Sequence, residues 1–466
     1  MNLKSIWIII LLCFVCTSVA IAEIITYSVP KEFYYAWHND DFTVKVRHQG
    51  EEWVDLFENY AMVDADTRSR ASMVYFDFSG TVEVSVQLNN GNLLSAVIRP
   101  LAEGIVPEIK GNSITFTLDK PQNLSIEFNG DRLHNLHLFA GDIIKEIPDK
   151  NAPDIIYFDA GLHKPDSTGV FKVASNTTVF LEGGAVLNGK IDCSNSENVK
   201  IYGRGIIFSP SANGISADYC KNITVDGIII LNPRYNSLAA GMTKNITIQN
   251  IKSFSYQGWG DGLDFFCCED VLVDGVFMRN SDDCIAVYNH RWDFYGDSRN
   301  IVVQNSTFWA DIAHPINLGT HGNTETGDEV MENIIFRNID ILEHDEDDRD
   351  YQGCMAINVG DHNLARNIHF EDIRVENIQK GQLFHVRVMY NKKYNTGPGK
   401  GIENITFKNI YYNGYGENPS VIEGYDDSRR VGNISFENIV INGKRIKSFK
   451  DGNFRIGKFT DEITLE

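Results

Sequence analysis

An all-β chain, a right-handed parallel β-helix preceded by an N-terminal β-sandwich, is the fold this sequence predicts. Three observations carry it. Residues 25 to about 145 alternate apolar and polar side chains in short runs. Beyond Pro153 one phrase, Asn, then Ile or Val, then polar, then apolar, recurs down the chain. No amphipathic helical pattern intervenes between the recurrences. At 466 residues the chain exceeds one ordinary compact core, and 43% hydrophobic residues place it among globular proteins.

Residues 1–22 read as a cleaved signal peptide. Lys4 precedes the apolar run Ile6 to Val15, and Ala20-Ile21-Ala22 fits a small-x-small cleavage site. The run is short for a membrane anchor, and Cys16 lacks the small residues that would precede a lipidated cysteine. The expectation is a protein secreted or periplasmic, with no membrane span.

Residues 23–147 form the expected sandwich. Val82, Val84, Val86 and Leu88 point one way in "GTVEVSVQL", Ile114, Phe116 and Leu118 in "NSITFTL", and Leu124, Ile126 and Phe128 in "NLSIEFNGD". Asn, Gly and Asp turns separate these runs, as antiparallel strands with one buried face require. The stretch "IPDKNAPD" is the joint. From 154 to 445 the phrase returns at Asn198, Asn222, Asn245, Asn300, Asn333, Asn367, Asn404 and Asn433, with Asp270 in the remaining slot. Such a repeat of β-branched strands is a solenoid of stacked coils. Asn suits each turn because it tolerates left-handed backbone and its amide can bond the coils above and below. Residues 446–466 are expected as a C-terminal tail.

The formal charge of −21 becomes −22 once Lys4 leaves with the leader, which disfavours nucleic acid and anionic membranes as partners. Of eight cysteines, Cys193, Cys220, Cys267, Cys268, Cys284 and Cys354 remain in the mature chain. None sits in a CxxC pair, so neither a metal nor a cofactor is expected, and the cysteines read as small core residues.

Asp261 precedes the pair Asp282 and Asp283 by about one coil, so the solenoid stacks Asp261 over Asp282 with Asp283 beside them, at a strand spacing of about 4.8 Å. Carboxylates so close do not all ionise, and one holds a proton near neutrality. That combination suits glycosidic cleavage, in which an acid protonates the leaving oxygen while an ionised partner activates water. A calcium site or a solvated Asp row is the plain alternative. Trp259, Tyr288 and Trp292, among nearby glycines, suggest a sugar-stacking cleft instead.

The "DGLD" at Asp261 and the "SDDCIAV" at Ser281 resemble the central signatures of the polygalacturonase-type β-helix hydrolases, glycoside hydrolase families 28 and 49. "IIYFDAGLHKP" and "NTTVFLEGGAVLNGKI" resemble their opening coils, so the likeness spans residues 154 to 442, and a preceding sandwich is similar to the family 49 layout. The resemblance implies Asp282 as general acid, Asp261 and Asp283 as the carboxylates that hold and deprotonate water, and inversion of configuration. Two departures stand out. Ala313-His314-Pro315 replaces a Gly-His-Gly motif, and "GCMAINVGD", with Ala356 and Asn358, replaces an Arg-x-Lys motif that grips a uronate. A neutral dextran- or pullulan-like glucan is therefore the expected substrate, polysaccharide or oligosaccharide, with pectin as the alternative.

His314 reads equally as a substrate contact or as a structural histidine capping its coil, and Arg387, with Lys392 and Lys393, is a candidate source of charge or part of a solvated loop. The acidic run Glu343 to Asp350 reads as a solvated loop or a cleft wall. A β-helix lyase lacks its basic residue here, and a non-catalytic glycan-binding β-helix leaves the aspartates without a task. The sequence carries no reading of oligomeric state.

Overall fold

The computed structural model describes residues 22–325, 327–414 and 418–466. The expected signal peptide falls outside these residues except for Ala22. Among the described residues no helix is long and apolar enough to cross a membrane.

Two sheets form the N-terminal sandwich. One carries Phe42–Arg47, Val82–Leu88 and Ser113–Leu118; the other carries Ser69–Phe78, Gln122–Phe128 and Asp131–Asp142. Their facing side chains, including Val44, Val84, Phe76 and Leu138, make one core. The second sheet departs from the one-buried-face pattern. Met73, Tyr75 and Phe139 project from its other side and pack against Ile229, Phe254, Phe277 and Trp309 of the following domain. Ser69–Phe78 is therefore buried on both faces, and it pairs in parallel with Asp131–Asp142.

From Ile155 onward the strands form parallel ladders in which each coil pairs with the coil before and after it. Val199, Ile223, Ile246 and Val271 stack in register, and the column continues through Ile301, Ile334 and Ile368. Burial of each such side chain contributes about 1.5–3 kcal/mol, so the repeat is also the core. Later coils put Phe336, Phe370, Phe407 and Phe436 in one stack, with ring centroids 5.1, 4.8 and 5.0 Å apart.

The Asn positions behave as their chemistry requires. Asn198, Asn222, Asn245, Asn300, Asn333, Asn367, Asn404 and Asn433 all have φ between 53° and 59°. Each amide donates to the preceding coil: Asn222 to Asn198 at 2.7 Å, Asn245 to Asn222 at 2.7 Å, Asn433 to Asn404 at 2.6 Å. Asp270 accepts from Asn300 at 2.9 Å, but having no amide hydrogens it cannot donate onward to Asn245. The C-terminal segment expected as a tail instead adds two strands, Phe454–Ile456 and Thr460–Leu465, which extend the ladders. Among the described residues the six cysteines are buried and unpaired.

Candidate active site

Neighbouring strands Leu263–Phe266 and Ile285–Tyr288 position the carboxylates. Leu263 and Phe265 point into the core, so Asp264 and Phe266 point out. Just before the strands, the Gly262 N–H bonds the Asp283 carbonyl at 2.8 Å. A Cβ at Gly262 would lie 2.2 Å from the Cys284 carbonyl oxygen, so only glycine permits this approach. The ladder sets Leu263 against Ile285, and two steps back the same register faces Asp261 with Asp283 rather than with Asp282. The expected stacking of Asp261 on Asp282 is thus displaced by one residue.

Asp282 accepts the Trp259 N–H at 3.0 Å and the Asp283 N–H at 3.1 Å. Burial, and then the charge of Asp283, push its carboxyl up to about 7. Asp283 is anchored differently. Its Oδ1 accepts the His314 N–H at 3.2 Å and the His314 ring Nδ1–H at 2.6 Å. Its Oδ2 accepts Asn317 at 2.8 Å and the Tyr288 hydroxyl at 3.1 Å. Burial alone would raise it, but the charge of His314 and these donors hold it below the usual carboxylate range.

His314 is fully buried, with Nδ1 on a carboxylate and Nε2 at 2.5 Å from the Tyr351 carbonyl. Both partners are acceptors, so both ring nitrogens must carry hydrogen: the ring is an imidazolium. Burial opposes that charge and Asp283 overcomes it, raising the group to about 9.

A fourth carboxylate, Asp264, completes the cluster. The Asn236 amide donates to Asp264 and lies 3.5 Å from Asp261 Oδ2, while Asp261 Oδ1 is buried without a protein partner. Burial and the surrounding carboxylates raise Asp261 and Asp264 well above the usual range. Asp264 was present in "DGLD"; period-two alternation from the core residues Leu263 and Phe265 was the signal that could have found it.

Other expected residues sort by exposure. Trp259 is 72% exposed and Trp292 59%, so both indoles face solvent; Trp259 sits on Asp282 through its N–H, and Trp292 packs on Phe266. Trp259 has φ 59°, and this left-handed turn aims its N–H at Asp282. Tyr288, expected on the substrate, instead lies beneath the cluster bonded to Asp283, and His314 is buried there too, on the structural side of its two readings. Tyr288 meets the His321 ring at 5.0 Å. Beyond it opens a pocket of about 320 Å³ lined by Arg291, Trp292, Tyr295 and Tyr394. Arg387 lies three strands further along its sheet, 3.6 Å from Asp350 and 3.4 Å from Glu423. The acidic run is only partly a solvated loop, since Glu343, His344 and Glu346 are buried and Glu343 pairs with Arg99 at 2.9 Å.

The arrangement sets a carboxyl raised by burial beside a carboxylate held ionised by four donors, with an unpartnered buried oxygen on Asp261. If Asp282 is the acid, activity requires its proton, so kcat should fall as pH rises through about 7. A pH–rate profile checks this, and a basic limb beyond pH 9 contradicts it.

A family model described as glycosyl hydrolases family 28 matches residues 163–457. Among solved structures, Dex49A from Penicillium minioluteum aligns with a TM-score of 0.63 at 14% identity, over 92% of this chain and 95% of that one. The Yersinia enterocolitica family 28 exopolygalacturonase aligns at 0.48 and 12% identity, over 83% and 96%. A polygalacturonase from Erwinia carotovora ssp. carotovora aligns at 0.48 and 14%, over 70% and 90%. No curated protein sequence matches the chain.

Proposed function

The chain belongs to glycosyl hydrolases family 28, and we propose that it is exported and hydrolyses a polysaccharide with inversion of configuration. In this reading Asp282 gives its proton to the glycosidic oxygen as the bond from that oxygen to the anomeric carbon breaks. Water attacks that carbon from the opposite face and passes a proton to Asp261, which in this step is the ionised member of the Asp261–Asp264 pair and whose Oδ1 has no protein partner. Asp283, with its oxygens already accepting four hydrogen bonds, serves as a fixed charge that keeps the Asp282 proton in place. The observation that carries the reading is the contrast between adjacent carboxyls: Asp283 accepts four hydrogen bonds, one from a buried imidazolium, while Asp282 accepts only two backbone N–H groups and is raised by burial.

A neutral, glucan-like backbone is the favoured substrate. Ala356 is fully buried, Asn358 is bound to Asn317 and His385, and Arg387 lies beside Asp350 and Glu423. One observation favours the second reading, a uronate polymer. Arg291 stacks on Trp292 at 5.1 Å at the pocket beside the cluster, without a carboxylate partner among the described residues.

Reducing-end release from dextran, pullulan and polygalacturonate separates the two, and NMR of the first product reads its anomeric configuration. Release from polygalacturonate alone overturns the neutral reading. A first product retaining configuration overturns direct water attack, and an unsaturated product absorbing in the near ultraviolet overturns hydrolysis.

A further inference from the structure

Arg279 is fully buried and lies three residues before Asp282, on the strand Phe277–Asn280. Its five N–H groups are all used. Nε and one Nη2–H bond Asp311 at 2.9 and 3.0 Å. Nη1 donates to Asn135 Oδ1 at 2.8 Å and to His137 Nε2 at 3.0 Å, and Nη2 also donates to the Arg132 carbonyl at 3.1 Å. The guanidinium stacks on Trp309 at 4.0 Å, and the Trp309 indole N–H donates to Asp311 at 2.8 Å. Asp64 closes the set, its N–H reaching Asp311 at 3.2 Å. Asp64, Arg132, Asn135 and His137 all belong to the sandwich.

Both ends of this ion pair run directly into the site. After Arg279, the Asn280 amide donates to Ser253 and Ser255 at 3.0 and 3.1 Å, and Ser281 makes two 3.0 Å bonds to Ser255. Ser255 in turn bonds the Gly260 carbonyl at 2.5 Å, beside Asp261. After Asp311, whose N–H bonds the Asn280 carbonyl at 2.9 Å, the chain reaches His314 within three residues. A fully buried ion pair is weak evidence for stability, since desolvation offsets most of its attraction. A fully satisfied buried network does fix one geometry. His137 meets that geometry at a cost: its Nε2 must accept from Arg279, leaving Nδ1–H buried without a partner.

We propose that the N-terminal sandwich positions the active carboxylates: through Asn135, His137 and Arg132 it holds the Arg279–Asp311 pair, and the pair holds the turns that carry Asp282, Asp283 and His314. The inference rests on the hydrolase reading above. Arg279 touches no reacting atom and acts as a positioning residue.

The test pairs Arg279→Lys with Arg204→Lys. Arg204 joins the same two domains on an earlier coil, bonding Asp77 at 2.8 Å and the Asp142 carbonyl at 2.7 Å. Both variants should lower Tm. Only Arg279→Lys should lower kcat, by about 10- to 100-fold with KM within about twofold, and move the basic limb of the pH–rate profile to lower pH as Asp282 becomes more solvated. If Arg279→Lys fails to fold, Asn135→Ala removes one sandwich bond and should shift kcat and the limb the same way by a smaller factor. Carboxyl titration of 13C-aspartate-labelled protein, with the Asp282 signal assigned from Asp282→Asn, reads the same shift without substrate. A wild type that cleaves no glycan sinks the hydrolase reading and leaves this titration to judge the positioning. Equal kcat and equal titration in the Arg279→Lys and Arg204→Lys proteins overturn the inference.

Discussion

Asp282→Asn should lower kcat by about 10²–10⁴-fold while leaving the fold intact, because it removes the proton delivered to the leaving oxygen and keeps the shape of the side chain. Stability gives an independent reading of the same variant. The folded carboxyl is raised to about 7 from an ordinary 3.8, so the native state holds a proton there that the unfolded chain has released. Wild-type stability therefore declines across that interval as pH rises, whereas the amide of the variant has nothing to titrate. The variant should be at least as stable as the wild type at pH 7, with the gap closing towards pH 4. Urea unfolding at the two pH values measures this. Undiminished turnover removes Asp282 as the acid, and a variant less stable at pH 7 than at pH 4, relative to wild type, contradicts the raised carboxyl.

The repeat was legible because a solenoid writes its contacts at nearly constant sequence spacing. Asn222, Asn245 and Asn300 could be read as turns from sequence, and their left-handed φ values and amide bonds follow from the same residue chemistry. A second ladder lies five residues later and went unread: Asn305 to Asp274, Asn338 to Asn305 and Asn438 to Asn409, each at 2.8 Å. Its signal, a second Asn closing the same phrase, stands at Asn250, Asn305, Asn338, Asn409 and Asn438.

The site was legible in its residues and less so in their arrangement. Counting residues per coil brings Asp261 near the Asp282–Asp283 pair, but hydrogen-bond register decides which one it faces, and a shift of one residue changes the partner. Partners that arrive from other coils carry no local mark. Asn317 lies 34 residues from Asp283, and the Tyr351 carbonyl 37 residues from His314, at spacings lengthened by the insertions. His137 reaches Arg279 across 142 residues and two domains, beyond any periodic reading. Exposure was the other blind spot: an aromatic or histidine beside carboxylates looks alike in sequence whether it faces solvent, as Trp259 and Trp292 do, or supports the carboxylate, as Tyr288 and His314 do.

His314→Ala should cost about 3–5 kcal/mol of stability near pH 6, because it strands Asp283 as a buried, uncompensated charge. The pH window of that loss follows from the two shifts. His314 is raised from 6.5 to about 9 in the fold, so its contribution is full below pH 6.5 and is lost as pH rises through about 9. Asp283 is held below its ordinary 3.8, so its contribution is present above that value and lost as pH falls. The pair therefore stabilises most between about pH 4 and 6.5, and the difference between wild type and variant should shrink by about 3 kcal/mol between pH 6.5 and 9. His314→Gln, which restores a donor without the charge, should recover part of the stability and lose the pH dependence. Urea denaturation across this range decides the matter. A destabilisation that stays constant from pH 6 to 9.5 would mean that His314 acts by filling space, and the fixed charge assigned to Asp283 would then need another source.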